Sequence, residues 1–150
     1  MADLTHGLSG SAGEYYVAAE LSRLGFIATL TNRSSEGIDI LAAKPRSGKA
    51  IKIQVKTTQG AKPRWLMNEK HEKDLGKNFF YVFVKLKAHG ARPDFYVVSS
   101  KRVASEVFYS HRKLLASAKK DGTKRRDTGM RAFNDDDGIH KEKWRVLEGK

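Results

Sequence analysis

Apolar residues recur along this chain in two rhythms, and the switches between them predict its elements. From Gly13 to Leu24 the apolar positions Val17, Ala18, Leu21 and Leu24 fall three and four residues apart, the single stripe of an amphipathic helix. Gly25 is placed to end it, because a residue without a Cβ closes a helix at least cost. Ahead of the stripe, residues 1–12 are rich in Gly, Ser and Ala and predict a flexible lead-in. Residues 26–31 form a short apolar run with β-branched members, which predicts a strand. A polar turn over residues 32–37 leads to a second strand at 38–43, and residues 45–49 have turn composition before a third. In that third strand, residues 50–57, the period drops to two. Ile51, Ile53 and Val55 take one face, while Lys52, Gln54 and Lys56 take the other.

Two later apolar runs, 79–86 and 95–99, read as strands. Residues 100–118 read as a helix with Val103, Val107, Leu114 and Leu115 inward and Ser99 or Ser100 as its N-cap. The stretch 58–78 carries no clear period. Residues 119–150 form a basic C-terminal extension, with Lys119, Lys120, Lys124, Arg125, Arg126 and Arg131 in one cluster and an acidic turn at Asp135-Asp136-Asp137-Gly138. Trp144, Val146 and Leu147 are expected to pack this extension back onto the body. Without an internal repeat or a long linker, residues 1–150 read as a single α/β domain.

Charge then narrows the class of partner. The chain has 29 Lys and Arg against 17 Asp and Glu, a formal net charge of +12 over 150 residues. Such an excess suits a polyanion, since neutralising phosphates releases condensed counterions. A membrane partner is not expected, because no basic amphipathic helix with a bulky apolar face is present. The absence of cysteine excludes thiolate nucleophiles and Cys-ligated zinc. Histidines 6, 71, 89, 111 and 140 lack metal-binding spacing and read as surface or loop residues. Gly48-Lys49 lacks the Gly-rich run of a P-loop, and no Gly-x-Ser-x-Gly elbow exists. No secretory signal precedes the helix, so a cytoplasmic location is expected.

Candidate chemistry sits where polar residues break the apolar pattern. Glu14 shares the helix stripe with Val17, Ala18 and Leu21; it either points inward or favours the helix macrodipole from the first turn. Asp39 interrupts an apolar strand, where an aspartate is disfavoured unless it caps the preceding turn or has a partner. Gln54 and Lys56 stand two apart on one strand face, which is either a solvated side or a site. Glu36 is a reserve ligand in a turn.

Taken in order, Gly13-Glu14, Gly37-Ile38-Asp39-Ile40-Leu41 and Ile53-Gln54-Val55-Lys56-Thr57-Thr58 resemble the PD-(D/E)XK nuclease superfamily. The likeness is closest to archaeal Holliday-junction resolvases and Mrr-type restriction nucleases, and it covers residues 10–58. Glu14 stands eleven residues before Gly25-Phe26, the spacing seen in resolvase-like members. Ile38 replaces the name-giving proline, and Gln54 replaces the acidic residue of the (D/E)-x-K motif. The resemblance implies a restriction-endonuclease-like core, a central mixed β-sheet of about four to five strands flanked by helices. It also implies a Mg²⁺ (or Mn²⁺) ion held by Asp39, the Gln54 side-chain oxygen and the Val55 carbonyl, with Glu14 reaching it directly or through water. Lys56 would orient the attacking water or stabilise the transition-state charge. A neutral amide ligates less strongly than a carboxylate, so Gln54 implies weaker metal binding than an acid would give.

The function expected from these residues is Mg²⁺-dependent hydrolysis of DNA phosphodiester bonds, including branched or structured DNA. Lys62, Arg64, Lys124, Arg125 and Arg126 are the candidate nucleic-acid contacts, with Trp65 either beside them or in the core. Junction-cleaving and restriction relatives often act as dimers, so a homodimer is an expectation too. Two alternatives stay open: a nuclease fold that binds nucleic acid with little or no cutting, and a basic RNA- or ribosome-associated module.

Overall fold

The computed structural model describes residues 3–32 and 36–150. Its first element is helix α1 (His6–Arg23), which starts well before the apolar stripe. Residues 6–12, expected in a flexible lead-in, are therefore helical. Two local clamps explain this. The Thr5 hydroxyl accepts from the Leu8 N–H at 3.3 Å, capping the first turn. The Gln59 amide then holds the Leu4 backbone on both sides, accepting from its N–H at 2.8 Å and donating to its carbonyl at 2.9 Å. The helix closes at Leu24, and Gly25 follows with φ +85°.

The strands, in chain order, are β1 (Ile27–Leu30), β2 (Ile40–Ala43), β3 (Ala50–Thr58), β4 (Arg64–Asn68), β5 (Phe79–Lys85), β6 (Asp94–Ser99) and β7 (Met130–Asn134). Five of them form a mixed sheet in the order β1-β2-β3-β5-β6. Only β3 and β5 run parallel, with Gln54 opposite Tyr81 and Lys56 opposite Phe83. A parallel pair needs a crossover, and here it consists of β4 and a 3₁₀ turn, Glu69–Glu72.

Both faces of this sheet are covered. On one face, Val17 and Leu21 of α1 pack on Ile51, Ile53 and Val55 of β3 and on Phe80 and Val82 of β5. On the other, helix α2 (Ser100–Ala116) brings Val103 and Val107 against Tyr81 and Phe83. Coverage on both sides is why β5 reads as the unbroken apolar run Phe-Phe-Tyr-Val-Phe-Val rather than alternating.

β4 and β7 carry no clear sequence period, yet they pair antiparallel into a two-stranded ribbon. Their inward residues Trp65 and Phe133 face each other across it, and Trp65 donates its indole N–H to the Val84 carbonyl at 3.0 Å. Trp65 is only 2% exposed, which places it in the core and away from any ligand. α2 also differs at its far end. Its buried stripe runs Val103, Ala104, Val107, His111, while Leu114 is 48% exposed. The extension after α2 returns to the body: Leu147 is buried in the α1-side core, and Trp144 lies 5.4 Å from the Phe95 ring. Arg92 bridges Glu20 of α1 and Glu142 of the extension. In the acidic turn only Asp135 is buried, and its carboxylate accepts from the N–H groups of Ile139 and His140, both at 2.8 Å.

α1 comes close to the sheet at Gly13. A Cβ built there would lie 1.9 Å from the Thr57 hydroxyl oxygen, so only glycine permits this crossing. Gly13→Ala is expected to cost about 1–3 kcal/mol despite its better helix propensity. Adding Thr57→Ala should restore most of that loss, which urea unfolding of the two single variants and the double variant measures.

Candidate active site

The site begins with a backbone group that has lost its strand partner. β2 pairs with β3 from Ala43↔Ala50 to Ile40↔Ile53, and Asp39 extends the pairing by donating its N–H to the Ile53 carbonyl at 2.9 Å. Beyond that point the chain turns away through Ile38 and Gly37. Odd-numbered residues of β3 present their backbone toward β2, so the Val55 N–H is left facing a gap. The Asp39 carboxylate fills it, with Oδ2 accepting from the Val55 N–H at 2.7 Å. An aspartate inside an apolar stretch thus has a specific task, and the chain geometry fixes where it points.

Asp39 precedes Ile40, which pairs with Ile53, and its backbone and carboxylate bonds set it beside the Ile53–Val55 stretch that holds Gln54. Gln54 is 8% exposed, and its side-chain oxygen lies 3.7 Å from where a Cβ on Gly37 would stand. Gly37 has φ +66°, so glycine serves both the turn and the close approach of the amide. Lys56 projects from the same strand face as Gln54, half-buried. Asp39, Gln54, the Val55 backbone and Lys56 are therefore gathered at one end of β3.

Glu14 arrives from the other side. α1 crosses β3 at Gly13 and Thr57, on the face opposite Gln54 and Lys56, and the next residue, Glu14, is half-buried. Among the described residues no three His, Asp or Glu side chains gather as a metal site. Hard oxygen donors are nevertheless present in Asp39, the Gln54 amide and the Val55 carbonyl. This set suits Mg²⁺, which is often held by one or two carboxylates with retained waters. Glu36 is exposed in its turn.

Burial governs the electrostatics. It pushes the Asp39 carboxyl above the usual aspartate range, against the opposing effects of the Val55 N–H bond and the Lys56 charge. It also lowers the Lys56 amine below the usual lysine range, helped by Lys70 and opposed by Asp39. Each departure favours the neutral form of its group.

Two neighbours of the site were not read from the sequence. Lys70 and His71 lie in the 3₁₀ turn after β4. His71, expected at the surface, is 3% exposed. Its Nδ1 accepts from the Asn68 N–H at 3.1 Å, while the Asn68 side chain accepts from the Lys70 N–H at 3.2 Å, a capping box. The ring meets Tyr81 edge-on at 6.0 Å. Nδ1 also lies 3.2 Å from the Asn68 carbonyl, and among the described residues Nε2 has no partner. The signal available in the sequence was Asn68 three residues ahead of His71 at the mouth of a short helical turn. His111 is buried as well, its Nε2 2.9 Å from Asp127.

The candidate nucleic-acid contacts also come together in part. Lys62, Arg64, Arg125 and Arg126 line one groove, and Lys124 lies outside that lining. Thr57, whose hydroxyl is buried against Gly13, is packed within the fold.

A mixed five-stranded sheet with flanking helices is a fold found in solved nucleases. One is a Holliday junction resolvase, Hjc from Archaeoglobus fulgidus, with a TM-score of 0.52 and 14% identity over 94% of this chain and 96% of that one. Another is a bacterial homing endonuclease, I-Ssp6803I, with a TM-score of 0.55 and 12% identity over 97% of this chain and 93% of that one. No protein-family model and no curated protein matches the chain. Among the described residues no helix is long and apolar enough to cross a membrane.

His71 makes stability depend on pH. Burial, then the Lys56 charge, depress its folded pKa to about 4 from an ordinary 6.5. Between those values the unfolded chain binds more protons, so stability falls as pH drops through this window. The loss from pH 7 to pH 4 is expected to reach up to about 3 kcal/mol from this one residue. His71→Phe should lower stability at pH 7 by about 1 kcal/mol through the lost cap acceptor, yet flatten the decline. Urea unfolding across that range checks both effects.

Proposed function

We propose that this protein is a metal-dependent endonuclease that hydrolyses phosphodiester bonds in DNA, including branched or otherwise structured DNA. The observation that carries this reading is the Asp39 carboxylate, fixed by the Val55 N–H on the strand that carries Gln54 and Lys56. The fold shared with a resolvase and a homing endonuclease supports it, as does the net charge of +12.

Mg²⁺ or Mn²⁺ would be held by Asp39, the Gln54 oxygen and the Val55 carbonyl, with Glu14 reaching it directly or through water. When bound, such an ion lowers the pKa of a coordinated water and offsets charge on the scissile phosphate. The residues do the remaining work. Asp39 orients its free oxygen because its other oxygen is tied to Val55. Lys56, its pKa lowered by burial and by Lys70, would orient the water or stabilise the transition-state charge. Lys62, Arg64, Lys124, Arg125 and Arg126 are assigned to phosphate contacts that position the substrate. Cutting both strands requires two such sites, which a homodimer would supply.

Gln54 favours a second reading, a nuclease fold that binds nucleic acid and cuts weakly or not at all. Without a third clustered acid among the described residues, the site brings little negative charge to a divalent ion.

Purified protein incubated with plasmid and four-way-junction DNA separates the two. Cutting is expected with Mg²⁺ or Mn²⁺ and not with chelator. Asp39→Ala and Lys56→Ala should each reduce it by about 100-fold or more. Gln54→Glu should lower the Mg²⁺ concentration needed for half-maximal rate by roughly tenfold, through the added charge. Salt-sensitive binding with no cutting in either metal would replace the first reading with the second.

A further inference from the structure

The β4–β7 ribbon has an outer face that the core does not use. Alternation turns Trp65, Met67 and Phe133 inward, so Arg64 and Leu66 point away from the sheet. With the last turns of α2 and the segment 117–129, this face forms a groove of about 700 Å³. None of its lining residues belongs to the Asp39–Gln54–Lys56 site.

The groove combines an apolar floor with a cationic rim. Its floor is apolar and open, with Leu66 63%, Met130 64% and Leu114 48% exposed. Its rim carries Lys62, Arg64, Lys119, Arg125 and Arg126, none paired with a carboxylate among the described residues. Elsewhere many cations are paired: Lys44 with Glu148, Lys87 and Lys141 with Asp94, Arg92 with two glutamates. Arg131, which also lines the groove, is bonded to Glu72 and serves the fold, and Asp136 is the acid in the lining. A second groove of about 430 Å³ shares Ser110, Ala132 and Asn134 with the first. At its edge Tyr109 is 68% exposed.

Charge calls for phosphates, and the floor decides between duplex and single strand. A duplex presents phosphates on a convex surface and keeps its base faces stacked inside, leaving nothing apolar to lie on Leu66 and Met130. An unpaired strand offers phosphates, sugars and base faces together, and an exposed aromatic ring accepts any base.

We propose that these two joined grooves bind single-stranded nucleic acid, with phosphates along Lys62, Arg64, Arg125 and Arg126 and sugar or base faces against Leu66, Met130 and Tyr109. The proposal rests on the nucleic-acid part of the endonuclease reading and deepens it by naming the strand form that Lys62, Arg64, Arg125 and Arg126 would hold; it does not require the Asp39 site to cut. In a branched substrate the path would hold an unpaired arm.

Fluorescence anisotropy in chelator tests it, using a labelled oligothymidine of about 12 nucleotides and a duplex of equal length over a salt series. Arg125→Ala with Arg126→Ala should weaken single-strand binding at least tenfold and reduce the salt slope by about 1.4. Tyr109→Ala and Leu66→Glu should each weaken it by about tenfold while changing duplex binding less than twofold. Arg46→Ala with Lys49→Ala removes the same charge from the β2–β3 turn and should leave single-strand binding within twofold. Equal losses in groove and turn variants would overturn the proposal, as would parallel losses for the duplex, or no single-strand binding at low salt. Circular dichroism confirms that each variant is folded. Because metal is absent throughout, a protein that binds but never cuts would refute the endonuclease reading and leave this one standing.

Discussion

The Val55 N–H is the group on which the site depends. β3 stays in the middle of the sheet while β2 leaves it at Ile40, so one backbone donor on that edge must find a partner other than strand. A buried unpaired N–H costs about 1–3 kcal/mol, and the Asp39 carboxylate removes that cost by taking the bond at 2.7 Å. The same act fixes the carboxylate's direction beside the strand that carries Gln54 and Lys56. A structural necessity and a chemical arrangement are met by one side chain.

The rest of the site follows from burying both faces of the sheet. α1 covers Ile51, Ile53 and Val55, while α2 and the ribbon cover the aromatic rows of β5 and β6. Gln54 and Lys56 share a face with Tyr81 and Phe83, rings that stack at 5.8 Å. Polar groups set beside such a surface lose solvation. That loss raises the Asp39 pKa and lowers those of Lys56 and His71. Gly13 and Gly37 complete the arrangement by letting α1 and the turn before Asp39 approach the ends of the Thr57 and Gln54 side chains.

Charge is distributed by a different rule. Cations that join elements are paired, as Arg92 is between α1 and the extension, whereas among the described residues Lys62, Arg64, Lys119, Arg125 and Arg126 around the ribbon's outer groove have no carboxylate partner. Exposed pairs contribute little to stability, so leaving five cations unpaired around an apolar floor costs the fold little and reserves them for a partner. The groove and the Asp39 site have no lining residue in common.

The sequence by itself determined the α/β class, the strands whose pattern is local and strong, and the ordering of Asp39, Gln54 and Lys56. Periodicity of two in β3 and of 3.6 in α1 arises from contacts each element makes along its whole length, so it is written in adjacent residues. It also marked Lys62, Arg64, Arg125 and Arg126 as cations of interest, though not that they share a groove. β4 and β7 were invisible because each is five residues long and gains its partner from across the chain, Trp65 from Phe133. Only the tertiary structure could move Trp65 and His71 into the interior, since their burial depends on the ribbon and α2 closing over β5. It alone decided that α1 begins at His6, because Gln59 at the end of β3 holds Leu4. And it alone showed why an aspartate stands at position 39: the donor it satisfies lies sixteen residues further along the chain.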